Sequence, residues 1–191
     1  MVGWAGRAPR LGTEGSRRDV LRWGALALGV ACLPRRARGA RSRPVRSVSL
    51  YAMHTGESLR ADYWMDGHYQ DDVLREVAWV LRDHRTDQVH PIDPEVLDVL
   101  SSVRAAVASS APFHVVCGYR SPETNALRHL ESPRSVAVDS FHIYGRAVDV
   151  FLPQRDLRQL RRAALALGAG GVGYYPRSGF VHLDNGPPRT W

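Results

Sequence analysis

The chain has 191 residues, 44% hydrophobic and 24% charged, which is enough length and apolar content for one domain with its own core. Its formal charge of +7 invites a nucleic-acid or membrane-surface role. That charge is concentrated at one end: residues 1–46 hold 11 arginines against Glu14 and Asp19, whereas residues 47–191 hold 15 arginines against 17 acids, so nucleic-acid binding loses its main support.

Residues 1–40 have the pattern of a leader. The basic stretch SRRDVLRWG (16–24) is followed by an apolar run, Ala25 to Leu33, and then by PRRARGARS. A basic start, a short apolar centre and a small-residue end describe a secretory signal peptide, with cleavage expected after Gly39 or Ala40. The apolar run is too short for a permanent membrane helix, so no stable insertion is expected after cleavage. Ser16-Arg17-Arg18 with Leu21 resembles the twin-arginine export signal, which sends folded proteins to the periplasm or cell envelope. A basic tail that merely binds acidic surfaces would not need the apolar segment behind it. Cys32 lies inside this leader, leaving Cys117 as the one cysteine of residues 41–191 and excluding an intramolecular disulfide there.

The remaining elements follow in chain order. RSVSLYAMHTGESL (46–59) alternates as a strand does and turns at Thr55-Gly56, and DYWMDGHY (62–69) reads as a second strand with a hairpin turn at Asp66-Gly67. Residues 71–85 place Val73, Leu74, Val77, Val80 and Leu81 on one helical face. Residues 93–108 form a second helix, with Asp93 as its N-cap and Pro94 in the first turn. A strand over 113–121 precedes a short helix over 122–130, and RAVDVFLP (146–153) is a further strand. A helix over 156–168 stops at Gly168, and residues 171–176 and 179–186 read as a closing hairpin. The expected fold is α+β, with the helices first and a small antiparallel sheet late in the chain.

Chemistry concentrates in two of these strands. On 179–186, Phe180, His182 and Asp184 share one face while Val181 and Leu183 face the core. In SFHIYGRAVDVFLP (140–153), Asp149 stands in an apolar run seven residues after His142, and Gly145 lets the chain fold back between them. A buried carboxylate is unfavourable by several kcal/mol unless it is paired or coordinating, so something must pair it. His142, Asp149 and His182 would satisfy a catalytic zinc ion, which takes three protein ligands and keeps a fourth position open. Spacing alone leaves a second reading open, a core histidine beside a structural salt bridge.

The stretch SFHIYGRAVD (140–149) resembles the S-x-H-x-x-G-x-A-x-D signature of the zinc D-Ala-D-Ala peptidase superfamily, also called the LAS peptidases. GYRSPETN (118–125) is similar to that group's Gly-Tyr-Arg-Ser element, and residues 170–191 resemble the C-terminal end of its subfamily related to murein endopeptidase K. The resemblance spans Val48 to Trp191. It implies a hedgehog/DD-peptidase-like fold, one Zn2+ per chain held by His142, Asp149 and His182, and hydrolysis of amide bonds in peptidoglycan stem or cross-link peptides. It also implies that Arg120 holds the substrate or stabilises the developing oxyanion. Many members carry a carboxylate general base three residues before the last ligand, where this chain has Gly179. Asp184 is then the nearest carboxylate on the ligand face, either the base or a group that orients a ligand. The alternative, encouraged by Gly179, is an inactive zinc-containing module that binds peptidoglycan. The other histidines, with His54 in MHTGE the most suggestive, lack partners at ligand spacing, and Cys117 reads as an inert thiol in an apolar strand.

Overall fold

The structure, a computed structural model, describes residues 44–168 and 170–191. The expected leader over residues 1–40, with Cys32, lies outside the described residues. One eight-stranded sheet runs in the order β3-β2-β1-β4-β5-β7-β6-β8. Its strands are β1 (Arg46–Ala52), β2 (Ser58–Met65), β3 (His68–Tyr69), β4 (Phe113–Cys117), β5 (Ala147–Phe151), β6 (Gly171–Tyr175), β7 (Phe180–Asp184) and β8 (Arg189–Thr190). The helices are α1 (Asp71–Val80), α2 (Pro94–Ala106), α3 (Pro122–Glu131) and α4 (Leu157–Leu167), with a 3-10 turn at Phe141–Tyr144.

The α+β class is observed, but the sheet departs from the expected small antiparallel one. Three strands precede the first helix, so the helices do not come first. Two pairs are parallel, β1 with β4 and β6 with β8. The first follows from connectivity: α1 and α2 lie between the β1–β2 hairpin and β4, and a helical crossover returns the chain in the direction it left. The second arises because β8 crosses back over the β6–β7 hairpin to the outer edge of β6, antiparallel to β7 and therefore parallel to β6. Sequence periodicity missed β8 because two residues carry no period.

Local chemistry explains most of the elements. The β2–β3 turn uses Asp66 and Gly67 at φ 56° and 92°, the left-handed pair that a tight hairpin needs. The side chain of Asp93 accepts from the Glu95 N–H at 3.0 Å, and that of Asp156 accepts from the Arg158 N–H at 2.8 Å, capping α2 and α4. Strand alternation then splits the sheet into two faces. Val48, Leu50, Phe113, Val115, Val148, Val150, Val181 and Leu183 join the core with Val77, Val96, Leu97, Leu100 and Leu160 of the helices. Asp149 and His182, one position out of phase with these, face the other way. The sheet thus keeps its core on one side and its polar cluster on the other.

Candidate metal centre

Three adjacent strands deliver a row of side chains. Asp149 of β5 pairs by backbone register with His182 of β7 on one side and Cys117 of β4 on the other. The fourth member, His142, comes from the 3-10 turn. Ser140 starts this turn by accepting from the His142 N–H at 3.4 Å, and Gly145 ends it in the left-handed region at φ 64°. A Cβ at Gly145 would also fall 2.1 Å from the Pro91 carbonyl oxygen, so both the turn and the close approach require glycine. The expectation that this glycine folds the chain back between His142 and Asp149 matches the structure.

The donor atoms converge. Asp149 Oδ1 lies 2.9 Å from His182 Nδ1 and 3.3 Å from His142 Nε2, and the two nitrogens are 3.2 Å apart. The outer ring nitrogens are engaged elsewhere: His142 Nδ1 with the Gly118 carbonyl at 2.7 Å, and His182 Nε2 with Asp184 Oδ2 at 3.0 Å. Both outer partners accept, which favours, in the neutral rings, the tautomer that carries its proton outward and leaves the inner nitrogen's lone pair for a metal ion. In that tautomer two lone pairs and a carboxylate oxygen face one another and repel unless a cation, a metal ion or a proton, joins them. Ligand bonds of about 2.0–2.1 Å in a tetrahedron place ligand atoms roughly 3.3 Å apart, close to the observed spacings. The residues present therefore fit a divalent ion such as zinc.

The electrostatics agree in sign. Burial works against a charge on His142, but Asp149 and Cys117 beside it prevail and push its pKa up to about 10, so a proton competes with a metal ion for its inner nitrogen. Burial likewise opposes the charge of Asp149, and His142 and His182 overcome it, holding that carboxyl well below the usual carboxylate range. The pocket is built to hold positive charge around one carboxylate. A second donor set, Cys117, His142 and Asp149, has its ligand atoms within 4.8 Å of one another. The His142, Asp149 and His182 set is tighter, and it is the one whose outer nitrogens are fixed. Cys117, expected as an inert thiol in an apolar strand, lies at the edge of the site, where its ligand atom is within reach of His142 and Asp149. A register shift between Val115 and Cys117 turns it toward Asp149. Burial raises its pKa, but His142 and Arg120 outweigh burial and lower it.

Asp184 is buried, with 1% exposure, and every lone-pair direction is used. Its Oδ1 accepts from Gly171 N at 3.0 Å, Gly186 N at 2.8 Å and Arg189 Nη1 at 3.0 Å. Its Oδ2 accepts from Arg189 Nη2 at 2.7 Å and meets His182 Nε2. Of the two roles that sequence offered, general base or orienting group, this geometry matches the second. The carboxylate is saturated, and it lies on the far nitrogen of His182 from the convergent donors.

The GYRSPETN element is equally interlocked. Ser121 caps α3, accepting from Thr124 N at 3.2 Å, and donates to Asp83 Oδ2 at 2.7 Å. Asn125 Oδ1 accepts from Arg120 Nη1 at 3.1 Å, and its Nδ2 donates to the carbonyls of Ala137 and Val138. Arg120 Nη2 is thereby held 3.8 Å from Asp149 Oδ2 and 3.4 Å from Cys117 Sγ. Asp83 went unnoticed in sequence because its partner Ser121 lies in a separate segment of the chain, and Asn125 because the carbonyls that hold its amide belong to a later loop.

A cavity of about 680 Å³ opens over His142, Asp149 and His182, with Arg120, Arg134, Tyr175 and Trp191 among its walls. That is the size range of a ligand site. Gly179 holds the turn before β7 at φ +80° with no atom near its missing Cβ. Backbone geometry accounts for glycine there, and among the described residues the remaining carboxylate on the cavity wall, Asp139, accepts from Tyr144 Oη at 2.7 Å.

The profile of a family described as peptidoglycan L,D-endopeptidase MepK matches residues 40–191. The peptidoglycan L,D-endopeptidase MepK of Escherichia coli (strain K12) is 39% identical over 179 residues, covering 93% of this chain and 98% of that protein. The probable peptidoglycan L,D-endopeptidase MepK of Haemophilus influenzae is 36% identical over 178 residues, 92% of this chain and 95% of that one.

Proposed function

This chain belongs to the family of peptidoglycan L,D-endopeptidase MepK, and on that premise we propose that it is an exported zinc metallopeptidase of the periplasm or cell envelope. Its substrate is peptidoglycan, cut at amide bonds of stem or cross-link peptides. The relatives' name points to a bond between an L- and a D-residue. Residues 1–40 act as the export signal and residues 41–191 as the peptidase domain, of the hedgehog/DD-peptidase type.

His142 Nε2, Asp149 Oδ1 and His182 Nδ1 would hold the zinc ion. When bound, it supplies Lewis-acid polarisation of the scissile carbonyl and an acidified water. The chain's own residues do the rest. Asp184 is a positioning residue: it keeps the His182 proton on Nε2 and the ring facing inward. Arg120 is clamped by Asn125 and faces the cavity, so it can take a substrate carbonyl or carboxylate without first being ordered. The observation that carries this reading is the set of three donors, 2.9 to 3.3 Å apart, on the floor of the large cavity.

The test is digestion of purified sacculi by the protein from residue 41 onward, followed by mass spectrometry, with and without a chelator. New peptide ends that vanish with chelator and return with zinc support the reading and identify the bond. A folded, zinc-loaded protein that binds sacculi and leaves every cross-link intact overturns it in favour of the binding module.

A further inference from the structure

The large cavity is not the only opening onto Asp149. A smaller one, about 70 Å³, is lined by Cys117, Arg120 and Asp149 together with His54, His84, Arg85 and Arg128. Three separate segments bring His54, His84, Arg85 and Arg128 to its wall. The loop after β1 brings His54, running beside β4 with Met53 N donating to the Val115 carbonyl at 3.0 Å. The loop after α1 brings His84 and Arg85. It is pinned by buried Asp83, which accepts from Arg85 N at 3.0 Å and from Ser121 N at 2.9 Å. Helix α3 brings Arg128.

The rings of His54 and His84 lie nearly parallel, 3.9 Å between centroids with 13° between planes. Parallel rings present their nitrogens side by side, so they do not converge on a metal ion as His142 and His182 do. The surroundings are cationic instead. Burial and the neighbouring His54, Arg85 and Arg128 lower the pKa of His84, with Asp83 opposing. The nearby carboxylates are occupied: Asp149 belongs to the metal centre, Asp83 is filled with donors, and Glu131 is paired with Arg128 at 3.3 Å in an exposed contact. Such a pair is weak and exchanges readily. A water site needs roughly 10–15 Å³ of such space, so this opening has room for a few waters or one carboxylate group, and none for a sugar ring.

We propose that His54, His84, Arg85 and Arg128 form a subsite for a free carboxylate of the substrate peptide, on the β4 side of the metal centre. The substrate lies in the large cavity, crosses Asp149, and places its carboxylate in the small opening. Arg120 and Arg128, which line both, stand at the junction. The proposal rests on the peptidase reading and adds what the site selects for: an acidic peptide whose charged group lies close to the bond that is cut.

The test compares one cross-linked peptide in two forms, with the carboxylate next to the cleaved bond either free or amidated. The zinc-loaded wild type should favour the free acid by about tenfold or more in kcat/KM, a preference worth at least one charge-assisted contact. In His54→Ala and Arg128→Gln, both at exposed positions, the ratio should fall toward one, while zinc content and thermal midpoint match the wild type. A wild type that treats acid and amide alike, or variants that keep the full preference, overturns the subsite. Calorimetry of the same two peptides against metal-free protein separates this outcome from a failure of the peptidase reading. If nothing is cut, tighter binding of the acid still supports the subsite, and equal binding removes it.

Discussion

Two buried aspartates flank His182, and they live in opposite environments. Asp184, at the β6–β8 end, is satisfied by two backbone N–H groups, both arms of Arg189 and the Nε2 proton. Asp149, at the centre of the sheet, meets the inner nitrogens of two histidines and an arginine no closer than 3.8 Å. Both are pulled far below the ordinary carboxylate range, with burial opposing in each case. Their acidity therefore does not distinguish them. The partners do: the shell of Asp184 is complete with donors, whereas Asp149 faces two histidine nitrogens in an arrangement that fits a cation.

The largest effect that sharpens this contrast is loss of the metal. Asp149→Asn and His182→Ala should each bring bound zinc, read by elemental analysis, and sacculus digestion to background, while Cys117→Ala keeps one ion per chain. If Cys117→Ala loses the ion and His182→Ala keeps it, the other donor set is the true one. Next is Asp184→Asn. It should weaken zinc affinity about 10–100-fold and lower the thermal midpoint, because breaking a buried ion pair destabilises by roughly 3–5 kcal/mol. A variant with full zinc affinity and no turnover would make Asp184 a reacting group after all. The smallest effect belongs to Asp83, a third carboxylate filled by donors. Burial raises its pKa, but Thr124, Arg85 N and Ser121 prevail and lower it to about 2. A lowered folded pKa means stability that is present above the unfolded value, near pH 4, and is lost as pH falls from there toward 2. Melting curves of metal-free protein between pH 5 and 2 should show this loss, on the order of 2 kcal/mol, in the wild type and little of it in Asp83→Asn.

Much of this was legible because it is local. The hairpin at Asp66-Gly67, the cap at Asp93 and the shared face of His182 and Asp184 all follow from short-range rules. His142 and Asp149 flank a glycine whose left-handed turn the spacing suggested. What escaped depends on distant partners. The clamp of Arg189 on Asp184 needs an edge strand of two residues. Asp83 finds Ser121 across 38 positions of sequence. The place of Cys117 beside Asp149 was not legible because a bulge has no mark in composition, and the parallel pairs were missed because crossovers are a matter of topology, not of pattern.

The division of the sheet into an apolar and a polar face has an evolutionary corollary. In β5 and β7 the two faces differ only by odd or even position, so one inserted or deleted residue would exchange them, sending valines to the cleft and ligands into the core. Gains and losses of sequence in this lineage should therefore gather in the Ser132–Asp139 wall of the cavity, where no ladder keeps count, and the repertoire of substrates can widen there while the catalytic strands keep their length.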